Sequence, residues 1–92
     1  MKLQVKFTNK FKKDLKQAQK QNKNLNKLFS IIEKLANLET LDSKYRDHQL
    51  TGKYVGLREC HIEPDWLLIY YVLNNTLTLV LTRLGSHSEL FK

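Results

Sequence analysis

Three apolar runs of strand length follow one another between Tyr54 and Leu84, and the breaks between them have room only for turns. Pro64-Asp65 separates Tyr54–Glu63 from Trp66–Leu73, and Asn74-Asn75 leads on to Leu77–Leu84. Connections this short join antiparallel neighbours, so the runs must form a meander. Asparagine tolerates positive φ, which suits Asn74-Asn75 to a two-residue hairpin turn. Gly85 ends the third run. Ser86 and Glu89 then have the S-x-x-E spacing of a capping box, which predicts a short helical turn from Ser86.

The first 36 residues change period. Leu3, Val5 and Phe7 alternate with polar residues, as in a strand with one wet face. Thr8 or Asn9 is placed to cap a helix whose thin apolar stripe is Phe11, Leu15 and Ala18. After the break at Gln21–Asn24, a broader stripe of Leu25, Leu28, Phe29, Ile32, Leu35 and Ala36 predicts a second, deeper helix. Residues 37–52 read as loop, and long ordered loops are often functional. The expected fold is therefore α+β, in the order β-α-α-β-β-β. It has a mostly antiparallel sheet, a helical hairpin on one face, the other face left to work, and residues 1–92 as a single domain.

Charge is unevenly placed. The chain carries +7, and residues 1–27 hold nine lysines against one acid, Asp14. Lys12, Lys13, Lys16 and Lys20 cover the polar faces of the first helix. A solvated face and a polyanion-binding face both fit this pattern. No run approaches the length of a membrane span, the N-terminal segment lacks the apolar core of a signal peptide, and Cys60 is the only cysteine. A cytoplasmic protein without disulfides or membrane contact is expected.

The polar residues of the second half gather near the sheet. In Leu57–Glu63, alternation sends Cys60 and Ile62 toward the helices and Glu59, His61 and Glu63 the other way. His48 precedes this strand and His87 follows the last one, so with Asp65 and Arg83 they have the makings of one site. Such a set suits cleavage of an RNA phosphodiester. One group takes the 2′-hydroxyl proton, another protonates the leaving oxygen, and a guanidinium balances phosphate charge. Histidine serves either proton role near neutrality. No metal or cofactor is required, and no metal-ligand spacing is present. Plainer readings stand beside these. His48 is also read as a surface loop residue, His87 as part of a cap, Glu59 as a partner for a nearby cation, Asp65 as turn chemistry, and Arg83 as a solvent-reaching strand end. Trp66 is also read as core, and Phe91 as a packing plug.

Two blocks, Arg46–Tyr71 and Thr82–Phe91, carry three ordered motifs: D-H-x-L-x-G, R-[DE]-x-H-[IV]-x-P-D and R-x-G-[ST]-H. In them the chain resembles the YafQ group of bacterial toxins, within the RelE/ParE superfamily of type II toxin–antitoxin systems. The resemblance implies an mRNA interferase acting on mRNA in the ribosomal A site, in the cytoplasm, and neutralised by a DinJ/RelB-type antitoxin. It assigns functional histidines to His48, His61 and His87, the acid to Asp65, and the phosphate-contacting arginine to Arg83. It assigns the aromatic positions to Trp66 and Phe91. His87 becomes the general acid and His48 the base. Glu59 stands where several members have aspartate, and is read as a substrate contact. The lysines of the first helix gain ribosomal RNA as a partner. Two rivals use the same scaffold without catalysis: a ParE-like inhibitor of gyrase, and a plain RNA-binding module relying on the lysines. Neither calls for three histidines around one sheet face.

Overall fold

The structure, a computed structural model, describes residues 2–91. Strand β1 (Gln4–Phe7) leads into helices α1 (Asn9–Lys20) and α2 (Leu25–Ala36). Strands β2 (His48–Gln49), β3 (Arg58–Glu63), β4 (Trp66–Leu73) and β5 (Thr78–Gly85) follow, and α3 (His87–Leu90) ends the series. They make a five-stranded sheet in the order β1-β5-β4-β3-β2. Only β1 on β5 is parallel, and that pairing is possible because the two helices supply the crossover.

The helix starts follow side-chain chemistry. Thr8 Oγ1 accepts from the Phe11 amide at 3.0 Å and Asn24 Oδ1 accepts from the Lys27 amide at 3.3 Å, each satisfying an orphan N–H of a first turn. The helices then bury one stripe on one sheet face. Phe11, Ala18, Leu28, Ile31 and Leu35 join Cys60, Ile62, Trp66, Leu68, Leu79 and Leu81 in the core. Ile31 takes the buried position, and Phe29, expected inside, is half exposed. A stripe defined at i, i+3 and i+4 leaves its flanks undecided, and packing against the sheet chose the other flank.

Three further expectations are corrected. The stretch read as loop contains the two-residue strand β2 between two 3₁₀ turns, Ser43–Tyr45 and Gly52–Tyr54. Consequently β3 begins at Arg58 and not at Tyr54. Asn74-Asn75 is not a two-residue hairpin turn: Asn74–Thr76 form a 3₁₀ turn, and the positive φ (49°) falls on Leu77. Finally, a register shift in the β3–β4 ladder between His61 and Glu63 breaks the alternation. Glu63 therefore leaves the row of Glu59 and His61, and its Oε2 lies 3.2 Å from Lys27 Nζ on α2.

Candidate active site

Strand β2 exists to place His48. Its two residues pair with β3 so that His48 stands directly opposite Glu59, which puts both side chains on the same face. His48 Nδ1 lies 2.7 Å from the carbonyl of Arg46, a residue held in the left-handed region at φ 50°. A carbonyl only accepts, so Nδ1 carries the proton and the Nε2 lone pair of the neutral ring is left free. That Nε2 faces Glu59 Oε1 at 3.6 Å.

Glu59 is the hub. It is 3% exposed, and the same Oε1 lies 3.1 Å from Nε2 of His61, itself 8% exposed. The other nitrogen of His61 meets the Pro64 carbonyl at 3.2 Å. Both ring nitrogens thus face oxygen acceptors. Both contacts become hydrogen bonds only if the ring holds two protons or the carboxyl holds one. Glu59 Oε1 is within hydrogen-bond distance of His61 Nε2 alone, with His48 Nε2 nearby at 3.6 Å, and its burial leaves it little surface to offer a substrate.

His87 arrives from the far end of the chain. Ser86 Oγ accepts from the Glu89 amide at 3.3 Å and Glu89 Oε1 accepts from the Ser86 amide at 2.8 Å, a complete capping box at the start of α3. The hydrogen bond from the Ser86 backbone holds the Glu89 carboxyl below its usual pKa. Asp65, from the β3–β4 turn, accepts from the His87 amide at 3.1 Å, and its Oδ1 lies 3.6 Å from His87 Nδ1. The turn thereby ties α3 to the strand that carries His61. The rings of His61 and His87 are 5.7 Å apart, His87 and Phe91 are 5.8 Å apart, and Tyr54 meets Phe91 edge-on at 5.1 Å. An open groove of about 1240 Å³ meets the cluster at His61 and Asp65 and is walled by Lys23, Lys27, Arg46 and Trp66; His48, Glu59, His87 and Phe91 lie outside its lining.

Three imidazoles distant in sequence therefore converge, with Glu59 and Asp65 between them and Phe91 and Tyr54 at one side. Two residues expected in the site also have structural partners elsewhere. Trp66 is 2% exposed and belongs to the core, with Lys23 Nζ 5.8 Å above its ring, and it also lines the groove beside His61 and Asp65. Arg83 gives its Nε and Nη2 to Asp14 at 2.7 and 3.3 Å, and Asp14 also accepts from the Leu84 amide at 2.9 Å. β1 pairs with β5 only as far as Leu81, which leaves the β5 edge open beyond it, and Asp14 on α1 caps that edge. The hydrogen bond to Asp14 raises the Arg83 pKa further. Asp14 and Tyr54 escaped the reading of the sequence. Asp14 had a signal, as the lone acid among nine lysines; Tyr54 had none. Replacing Asp14 with alanine strands a guanidinium and a strand-edge amide. The expected cost is about 2 kcal/mol, read as a lower urea midpoint at unchanged slope.

Lys12, Lys13, Lys16 and Lys20 are all exposed on α1. Burial pushes the Cys60 thiol up to about 12, as befits a core residue. Among the described residues, no group of three or more His, Cys, Asp or Glu side chains forms a metal-holding set. No helix among them is long and apolar enough to cross a membrane.

The family model described as the YafQ bacterial toxin of type II toxin–antitoxin systems matches residues 3–92. The mRNA interferase toxin YafQ of Escherichia coli K12 is 39% identical over 88 residues, covering 95% of this chain and 94% of its own length. The fold superposes on the toxin in the E. coli DinJ–YafQ toxin–antitoxin complex with a TM-score of 0.89, at 36% identity and full coverage of both chains (100% and 100%). It superposes on a metal-bound toxin from Helicobacter pylori with a TM-score of 0.92, at 45% identity over 97% of this chain and 99% of that one.

Proposed function

This chain belongs to the YafQ family of bacterial type II toxins, and from that premise we propose that it is an mRNA interferase, an endoribonuclease that cuts message in the ribosomal A site and so stops translation. The reading covers residues 1–92 as one toxin domain working in the cytoplasm, where ribosomes are. A DinJ/RelB-type antitoxin neutralises it. The observation that carries the reading is the linked set His48–Glu59–His61 with His87 5.7 Å from His61. General acid–base cleavage needs two proton-handling groups on opposite sides of one phosphate, and this set offers candidates for both roles.

In the reaction, the 2′-oxygen of the nucleotide attacks the adjacent phosphorus. His48 Nε2 takes the 2′-hydroxyl proton as the new O–P bond forms. The P–O5′ bond breaks, and His87 gives a proton to the leaving 5′-oxygen. The products are a 2′,3′-cyclic phosphate and a 5′-hydroxyl. Asp65 fixes His87 through its backbone and ring. His61, held between Glu59 and the Pro64 carbonyl, orients the substrate and the neighbouring side chains. Phe91, next to His87, shapes the base pocket. Arg83 balances phosphate charge through its remaining Nη1 or by exchanging Asp14 for the phosphate. Lys12, Lys13, Lys16 and Lys20 lie along small-subunit ribosomal RNA, a contact that weakens as salt rises.

Incubation of the purified chain with programmed ribosomes tests this. Message cut in the A site, with a cyclic phosphate on the upstream fragment, is the expected result. Intact message together with inhibited DNA supercoiling by gyrase establishes the ParE-like alternative instead. Intact message with salt-sensitive RNA binding leaves a binding module.

A further inference from the structure

His48 sits on a strand of only two residues, and so short a ladder holds little by itself. The backbone before it needs another anchor, and the structure supplies one on the opposite side of the sheet. Alternation turns Asp47 away from the face that His48 occupies. There the Tyr70 hydroxyl donates to Asp47 Oδ1 at 2.6 Å, and Arg58 Nε reaches the same oxygen at 3.3 Å. Arg58 Nε also lies 3.4 Å from the Tyr70 hydroxyl. Arg58 and Tyr70 are cross-strand partners in β3 and β4, so two rigid central strands hold both donors. Tyr70 is 2% exposed and packed in the core. Arg46, just before Asp47, is the residue whose carbonyl receives His48 Nδ1 at 2.7 Å.

We propose that Tyr70, acting through Asp47 with Arg58, is a positioning residue for the reaction: it clamps the Arg46–His48 backbone to the back of the sheet and so fixes the tautomer and direction of the His48 ring. This rests on the reading of His48 as base. Without the clamp, the Arg46 carbonyl drifts, Nδ1 loses its acceptor, and Nε2 is no longer held as the unprotonated nitrogen. Burial first, and then the hydrogen bond to Asp47, push the Tyr70 hydroxyl well above its usual pKa, so it stays a donor throughout the working range.

Tyr70→Phe removes one oxygen and keeps the core filled; Asp47→Asn keeps the shape of the acceptor and serves as the second variant should the first fail to fold. Single-turnover cleavage on programmed ribosomes is expected to slow about tenfold to a hundredfold, with the half-saturating ribosome concentration unchanged. On a His48→Ala background, Tyr70→Phe adds no further loss, because the two act through one group. Nitrogen-15 NMR of the free chain gives a reading independent of activity. His48 is the Nδ1–H tautomer in the wild type and a mixture in either variant. An unchanged His48 tautomer in a folded variant overturns the proposal, as does an equal rate loss on both backgrounds. If His48→Ala cleaves like the wild type, the base assignment fails, and the tautomer measurement still judges the clamp.

Discussion

His87→Ala is expected to slow cleavage of message on programmed ribosomes by about 10²–10⁴-fold, the usual range for loss of a general acid. The half-saturating ribosome concentration should hold, because the ring contributes in the transition state and the lysines proposed to bind ribosomal RNA lie on α1. The pH profile separates this from a loss of structure. An acid must be protonated to act, so its limb is the one along which rate falls as pH rises. The alanine variant loses that limb and keeps the rising one that belongs to the base. A message with sulfur in place of the bridging 5′-oxygen leaves without protonation, and it should restore most of the rate. Failure of that substrate to rescue the variant would remove His87 from the acid role. The capping box and the Asp65 contact to the His87 amide do not involve the ring, so α3 should stay in place.

Trp66→Ala should be the most damaging single change to stability, at about 3–5 kcal/mol. The ring is 2% exposed and is among the largest fully buried side chains, and its removal leaves a void in the core. Trp66→Phe refills much of that void and should recover more than half of the loss. The pair decides between core and stacking platform. If the indole only supports the site from behind, the folded Phe variant cleaves at close to the wild-type rate. If it stacks on a base, the Phe variant loses rate or affinity while remaining folded. Denaturant unfolding and single-turnover cleavage, run side by side, make the distinction.

Much of this architecture was legible in the residues alone. The period change at Thr8, the cap at Asn24, the Pro64-Asp65 turn and the Ser86 box are local signals, and each depends on chemistry within four residues. What escaped depends on distant neighbours. Strand β2 is too short to show a period and exists only because β3 offers it an edge. Ile31 rather than Phe29 is buried because the sheet, and not the helix, selects the flank. Glu63 follows alternation in the sequence, but the irregularity after His61 turns it to α2. In the site, the histidines announced themselves as residue types, and the resemblance at three motifs assigned them roles. Their meeting, His48 and His61 beside Glu59 and His87 beside His61, is visible only in space. Arg83 illustrates the reverse: a cation with the right chemistry is held by an acid 69 residues earlier, on another element.

The lone thiol gives the chain one more property. Cys60 is completely covered by the layer between helices and strands, and its proton is held too tightly for a reactive thiolate to form near neutrality. Thiol-directed reagents therefore find no target while the layers stay together, and gain purchase once they part. Thiol labelling thus reports opened copies and passes over intact ones.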